Sequence, residues 1–145
     1  MSGRDVDARI LEELWRTYRA SSRHIDAKLD RLMGCTLPQF LALRAIVGCE
    51  GILLASDVAK VMGCTRGNVR PIAKRLHELE WITKSENPWD ARAVSLRATP
   101  SGRRVYKSLA DEVEHGVRVV FGPLDDEEKE TLLVLLRRIT GAEVE

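Results

Sequence analysis

The stretch Leu53 to Gly102, LLASDVAKVMGCTRGNVRPIAKRLHELEWITKSENPWDARAVSLRATPSG, changes its hydrophobic rhythm as it runs: two short helices, a strand, a charged turn, a second strand and a helix start. Ala55, Val58, Ala59 and Met62 recur at i, i+3, i+4 and i+7, one face of a short helix. Gly63 stands where a left-handed residue would end it. A second helix follows almost at once. Val69, Ile72, Ala73, Leu76 and Leu79 make its buried stripe, which turns Arg66, Gly67, Arg70 and Lys74 outward. That outward face is basic and nearly free of carboxylates.

Trp81, Ile82 and Thr83 on one side and Val94, Ser95 and Leu96 on the other are strand-like runs around Asn87, Pro88, Asp90 and Arg92. The separation reads as a hairpin loop too long for a tight two-residue turn, with its tip projecting into solvent. Two helices followed by such a hairpin are the elements of a winged helix-turn-helix, a device for reading duplex DNA. In that geometry Arg66, Gly67, Asn68, Arg70 and Lys74 approach the major groove, and Thr65 or Ser56 bonds phosphate. An arginine on a projecting tip suits the narrow, negative minor groove. Asp90, two residues before Arg92, can hold its guanidinium by a bidentate pair. Trp89 on the same tip has two readings: a wedge against a base step, or an indole folded back over Pro88 to shield the hairpin, the second being preferred. Pro71 interrupts the second helix in sequence, since an interior proline costs ~3 kcal/mol if nothing adapts. A helix that effectively begins near Asn68 would put Pro71 in its first turn, with a small kink or a tightened turn and the outward face intact.

Charge is distributed unevenly along a chain whose net charge is only +1. From Ala55 to Arg104 there are ten Lys/Arg against five Asp/Glu, whereas Val105 to Glu145 has five against ten. The positive excess falls in the segment that pattern alone selects as the reader, which favours contact with phosphates. The plain alternative is that each helix has a solvated charged face.

The flanks are long helices. Ile10, Leu11, Leu14, Trp15, Tyr18, Ile25, Leu29 and Leu32 recur at helical spacing over a helix too long for its own small domain to cover. A second helix begins near Thr36, an N-cap with Pro38 in the first turn, and carries Phe40, Leu41, Leu43, Ala45, Ile46 and Val47. Val105, Leu109, Val113, Val117 and Val120 continue one helix until Gly122-Pro123 breaks it. Asp125 and Asp126 start the last helix, and Arg137 and Arg138 sit near its end, as the helix dipole prefers. Its Leu132, Leu133, Leu135, Leu136 and Ile139 supply more apolar surface than a terminal helix leaves in water. The fold class expected is mainly α with a small β-hairpin wing. The 145 residues form a single domain, 1–145, with a winged helix-turn-helix at about 37–102 and dimerisation helices at about 5–33 and 102–142.

The run Thr36 to Phe40, Val58-Ala59, Thr65 to Val69, Leu76, and above all Asn87-Pro-Trp-Asp90-Ala-Arg92 followed by Leu96-Arg-Ala-Thr99-Pro-Ser-Gly102, resemble the MarR family of transcriptional regulators. The resemblance spans most of the chain. It implies a homodimer with interlocked terminal helices, one reader per protomer on successive major grooves of an inverted repeat, and repression relieved by a small molecule or by oxidation. It also implies a ligand crevice between the terminal helices and the winged domain, where Trp15, Tyr18, Arg19, Phe40 and Leu43 would meet a small aromatic effector. Taken singly, each of these is more readily a packing residue than a ligand contact. The chain departs from the family at Arg70-Pro71, where many members have a Thr-Arg pair. A proline there resembles the organic-peroxide-sensing branch, but the position of that branch's sensing cysteine is Trp15 here, so its chemistry is not carried over.

Cys35, Cys49 and Cys64 form no CxxC or CxH metal pattern, and packing is the first reading of Cys35 and Cys64. Cys35, close to a helix N-terminus, is the better thiolate candidate, which keeps a thiol-based redox-sensing repressor as an alternative. His24, His77 and His115 are scattered, and no metal or cofactor is expected. There is no G-x-S-x-G, H-E-x-x-H or phosphate-cradling glycine loop, so an enzyme is not expected. Met1 to Asp7 has no apolar core or cleavage pattern and no apolar run approaches ~20 residues, so the expected location is the cytoplasm, without a membrane partner. A winged-helix module that docks its basic face on an acidic protein is the remaining alternative.

Overall fold

A computed structural model describes residues 3–141, apart from the side chains of Arg4, Ala91 and Arg92. Helix α1 (Gly3–Met33) leads into α2 (Leu37–Val47), then strand β1 (Leu53–Leu54), α3 (Ala55–Met62), α4 (Arg66–Glu78), β2 (Ile82–Asn87), β3 (Asp90–Ala98), α5 (Pro100–Phe121) and α6 (Asp126–Thr140). The mainly helical class with a β wing is therefore what folds. The sheet is larger than a hairpin: β1 pairs with β3 through Leu53↔Leu96 and Leu54↔Ser95, giving the antiparallel order β1-β3-β2.

The helix boundaries follow local chemistry. Thr36 caps α2 with a reciprocal pair, its Oγ1 accepting from the Gln39 N–H while Gln39 Oε1 accepts from the Thr36 N–H. Asp26 of α1 adds a third contact, its carboxylate accepting from the Leu37 N–H at 2.6 Å, and so ties the first helix to the start of the second. Gly63 ends α3 at φ 64°. Asp125 caps α6 through the Glu128 N–H at 2.8 Å.

The core lies between α2, α3, α4, the sheet and the middle of α5. Phe40, Leu43 and Ile46 meet Val58, Val69, Leu76, Ile82, Leu96 and Leu109, with Ile25 and Leu29 arriving from the second half of α1. A close joint connects this core to α5. The Thr99 N–H donates to the Trp81 carbonyl at 3.0 Å, and Thr99 Oγ1 donates to the Glu80 carbonyl at 2.7 Å while accepting from the Gly102 N–H. Glu80 takes a positive φ of 62° to make the corner. A Cβ on Gly102 would lie 1.9 Å from the Trp81 carbonyl oxygen, so only glycine allows the helix to approach the strand this closely.

Two sequence expectations are corrected. Helix α4 starts at Arg66, not near Asn68, and Pro71 is its sixth residue, yet the helix is continuous. The Thr65 carbonyl accepts from both Asn68 N–H (3.0 Å) and Val69 N–H (3.3 Å), a tightened first turn. The carbonyl that Pro71 leaves without a donor belongs to Gly67, an exposed residue in the first turn. The wing hairpin does close with a two-residue turn, Pro88-Trp89, between paired Asn87 and Asp90. Asn87 Oδ1 accepts from the Trp89 N–H at 2.9 Å and Pro88 presets its φ, so an Asn-Pro corner turns the chain early. The extra length lies in β3: the register jumps from Glu86↔Val94 to Asn87↔Asp90, so residues 91–93 bulge out of the ladder.

Candidate nucleic-acid interface

Helix α4 presents two chemically opposite sides. Val69, Ala73 and Leu76 are buried in the core, while Arg66, Gly67, Asn68, Arg70 and Lys74 are exposed. Arg66, Arg70 and Lys74 are four residues apart, so they form one row along the helix. Thr65 caps the helix through the Asn68 N–H at 3.3 Å, which leaves its hydroxyl proton free to face solvent. Ser56 is half-buried in the first turn of α3.

Between this row and the hairpin runs an open groove of about 710 Å³. Thr65, Arg66, Gly67, Arg70 and Lys74 line one wall, and Lys84, Glu86 and Val94 of the wing line the other. Four cations thus face a single carboxylate across the described lining. An α-helix with a basic ridge beside a projecting hairpin has the dimensions to enter a major groove ~12 Å wide. Lys84 was missed by sequence reasoning, although alternation could have found it. Ile82 points into the core beneath α4, so Lys84 and Glu86, two and four residues on, continue the same strand face past the helix.

Asp90 is exposed and pairs across the turn with Asn87. The side chain of Arg92 lies outside the described residues; its backbone falls in the bulge. Trp89 is 94% exposed, so it does not fold back over Pro88 as preferred from sequence.

The expected ligand residues fall in two environments. Trp15, Tyr18 and Arg19 cluster on the exposed side of α1, with the two rings 6.3 Å apart and the guanidinium 5.7 Å from the Trp15 ring. Phe40 and Leu43 are core residues, 2% and 0% exposed, and Phe40 stacks on Tyr106 at 5.7 Å. A ligand could reach these two only by opening the core, so they are corrected to packing residues. Cys35 is corrected as well: it is 1% exposed, its thiol donates to the Thr36 carbonyl, and burial, followed by the charge of Asp26, raises its pKa to about 11. That is the wrong direction for a reactive thiolate. Among the described residues no group of His, Cys, Asp or Glu is placed to hold a metal ion, and no helix is long and apolar enough to cross a membrane.

Residues 33–93 match the sequence profile of the MarR family. The uncharacterised HTH-type transcriptional regulator YybA of Bacillus subtilis is 31% identical over 133 residues, covering 90% of this chain and 85% of that protein. Among solved structures, BpsR of Bordetella bronchiseptica, whose DNA binding is regulated by 6-hydroxynicotinic acid, superposes with a TM-score of 0.78 at 25% identity, covering 91% of this chain and 93% of BpsR. Sco3205 of Streptomyces coelicolor, solved in complex with DNA, shares the fold with a TM-score of 0.80 at 21% identity, over 90% and 82% of the two chains.

Proposed function

The chain belongs to the MarR family of DNA-binding transcriptional regulators, which act by binding rather than by catalysis, and from that premise we propose a cytoplasmic homodimeric repressor that occupies a pseudo-palindromic operator and is released by a small-molecule effector. The observation that carries this reading is the groove between α4 and the wing, with Arg66, Arg70, Lys74 and Lys84 on its walls. In the proposed complex Arg66, Asn68, Arg70 and Lys74 meet the major groove, Thr65 and Ser56 bond phosphate, and Arg92 enters the minor groove with Asp90 beside it.

Dimerisation is supported by what one protomer leaves uncovered. Ile10, Leu11, Leu14 and Trp15 on α1 and Leu133, Leu135 and Ile139 on α6 are all exposed apolar side chains. A second copy would cover them and divide the chain as proposed, a reader at about 37–102 between dimerisation helices at about 5–33 and 102–142. It would also set two readers about one turn of duplex apart, ~34–36 Å. The Trp15, Tyr18 and Arg19 cluster offers an aromatic face and a cation to a small aromatic acid, the chemistry that the regulator of BpsR also has.

Binding of the purified protein to the intergenic duplex beside its own coding region, at two salt concentrations and against an unrelated competitor duplex, tests the reading. Tight, salt-sensitive binding that survives the competitor is expected. Equal, weak binding to both duplexes would overturn the assignment of that site as the operator, and unchanged duplex binding after loss of Arg70 and Lys74 would overturn the interface.

A further inference from the structure

The wing tip carries a feature that a charge-based contact does not use. Trp89 is 94% exposed at the apex of the hairpin, and the turn beneath it is ordered by Pro88 and by the Asn87 Oδ1 contact to the Trp89 N–H at 2.9 Å. A large apolar ring is thus held in water on a short, preset corner. Burying it on a partner releases much of its hydration with little backbone freedom left to lose. The hairpin is also an ordered arm: β2 and β3 pair in unbroken register from Ile82↔Ala98 to Glu86↔Val94, and the bulge comes only at the tip. From Ile82, buried against α4, to Asn87 is five strand steps, about 17 Å at ~3.3 Å per residue. Half a turn of B-form duplex is also about 17 Å. The length of the arm therefore matches the offset between a major groove facing α4 and the minor groove that flanks it. From Glu86 to Asp90 the sequence ENPWD has two carboxylates and no Lys or Arg, so the apex has no positive charge with which to hold a phosphate.

We infer that Trp89 is a DNA-contacting residue that inserts its indole into the flanking minor groove as an apolar wedge and reads the deformability of the base step there. This inference rests on the DNA-binding reading above. Wedging side chains partly unstack a step, and pyrimidine-purine steps such as TA and CA/TG unstack most readily. The wedge therefore favours sites with such a step half a turn from the base pairs that α4 contacts. Its contribution comes from stacking and burial, not counterion release, so it is independent of salt, in contrast to that of Lys74.

The test compares Trp89→Ala, Trp89→Phe and Lys74→Ala with the native protein on the duplex it protects upstream of its own coding region, across a salt series. Trp89→Ala should weaken binding about tenfold with the salt slope unchanged, and Trp89→Phe should recover part of the loss. Lys74→Ala should weaken binding and lower the slope by about one. DNA should also shield the indole from acrylamide in the native protein, with the shielding absent from Trp89→Phe. Thermal melting serves as the folding control, since a residue this exposed supports no core. If Lys74→Ala weakens binding and Trp89→Ala does not, the wedge is overturned and the DNA reading stands. If neither substitution matters, the DNA reading falls and the wedge with it; a wing tip that binds another protein would give that result.

Discussion

The winged region and the terminal helices solve the burial problem in opposite ways. Residues 37–102 close on themselves: α2, α3, α4 and the sheet supply most of the fully buried side chains, Phe40, Leu43, Ile46, Val58, Val69, Leu76, Ile82 and Leu96 among them. The first half of α1 and all of α6 do not. Every described residue from Gly3 to Ala20 is exposed, and α6 buries none of its residues. Their apolar content is comparable, so the difference lies in what faces them. A 31-residue helix is about 46 Å long, well beyond the reach of a core this small. The winged region covers its apolar side chains within one chain, whereas the terminal helices leave theirs exposed.

The comparison is broken most severely by attacking the reader from within. Gly102→Ala drives a methyl group into the Trp81 carbonyl, and urea denaturation should show a loss of about 3 kcal/mol or more. A loss below about 1 kcal/mol would mean the joint can part cheaply. Next comes the frame. Leu135→Glu with Ile139→Glu, one helical turn apart, places charge on one exposed face of α6 and should leave the winged fold intact while sedimentation shifts from dimer to monomer. Operator affinity should fall about a hundredfold as two linked readers become independent. A native chain that sediments as a monomer would remove the contrast altogether.

Much of this contrast was legible in the residues, for reasons that differ between elements. Helix periodicity, the Gly63 stop, the Thr36 and Asp125 caps and the Gly122-Pro123 break are local signals, and each marks a boundary in the structure. The two-residue strand Leu53–Leu54 was not legible, because so short a strand has no period and exists only through its pairing with β3. The wing turn was misread because a bulge and a long loop add the same number of residues. At the interface, the cations of α4 were visible from the stripe beneath them, but Lys84 depends on which face of β2 turns toward α4. Phe40 and Leu43 were assigned to a crevice that the packing of α5 fills with Tyr106.

Smaller effects sharpen the picture of the reader. Arg70→Ala should cost about 1–3 kcal/mol at one base position if that side chain reads a base, or weaken all sequences alike if it holds phosphate, and a panel of single-base operator variants separates these outcomes. At neutral pH Cys35 should contribute no titration. Its pKa, about 11 when folded against 9.0 for an unhindered thiol, means that the folded state holds the proton longer than the unfolded one. Stability from this group is therefore constant below pH 9 and declines as pH rises toward 11, and Cys35→Ala should flatten that decline in denaturation measured across pH. Iodoacetamide should label half-buried Cys49 and Cys64 before Cys35.

The joint at Thr99 and Gly102 makes a rigid lever of what would otherwise be two neighbours. The first turn of α5 is fastened to the root of the wing by two hydrogen bonds and by a contact too close to slide. The same helix packs against the second half of α1. With no hinge between strand and helix, a tilt of α5 cannot be absorbed at the corner and must swing the whole hairpin. Since the arm is long, a displacement of a fraction of an ångström where the helices pack grows toward the tip, and in the proposed dimer the spacing of the two tips would follow the angle between the two α5 helices.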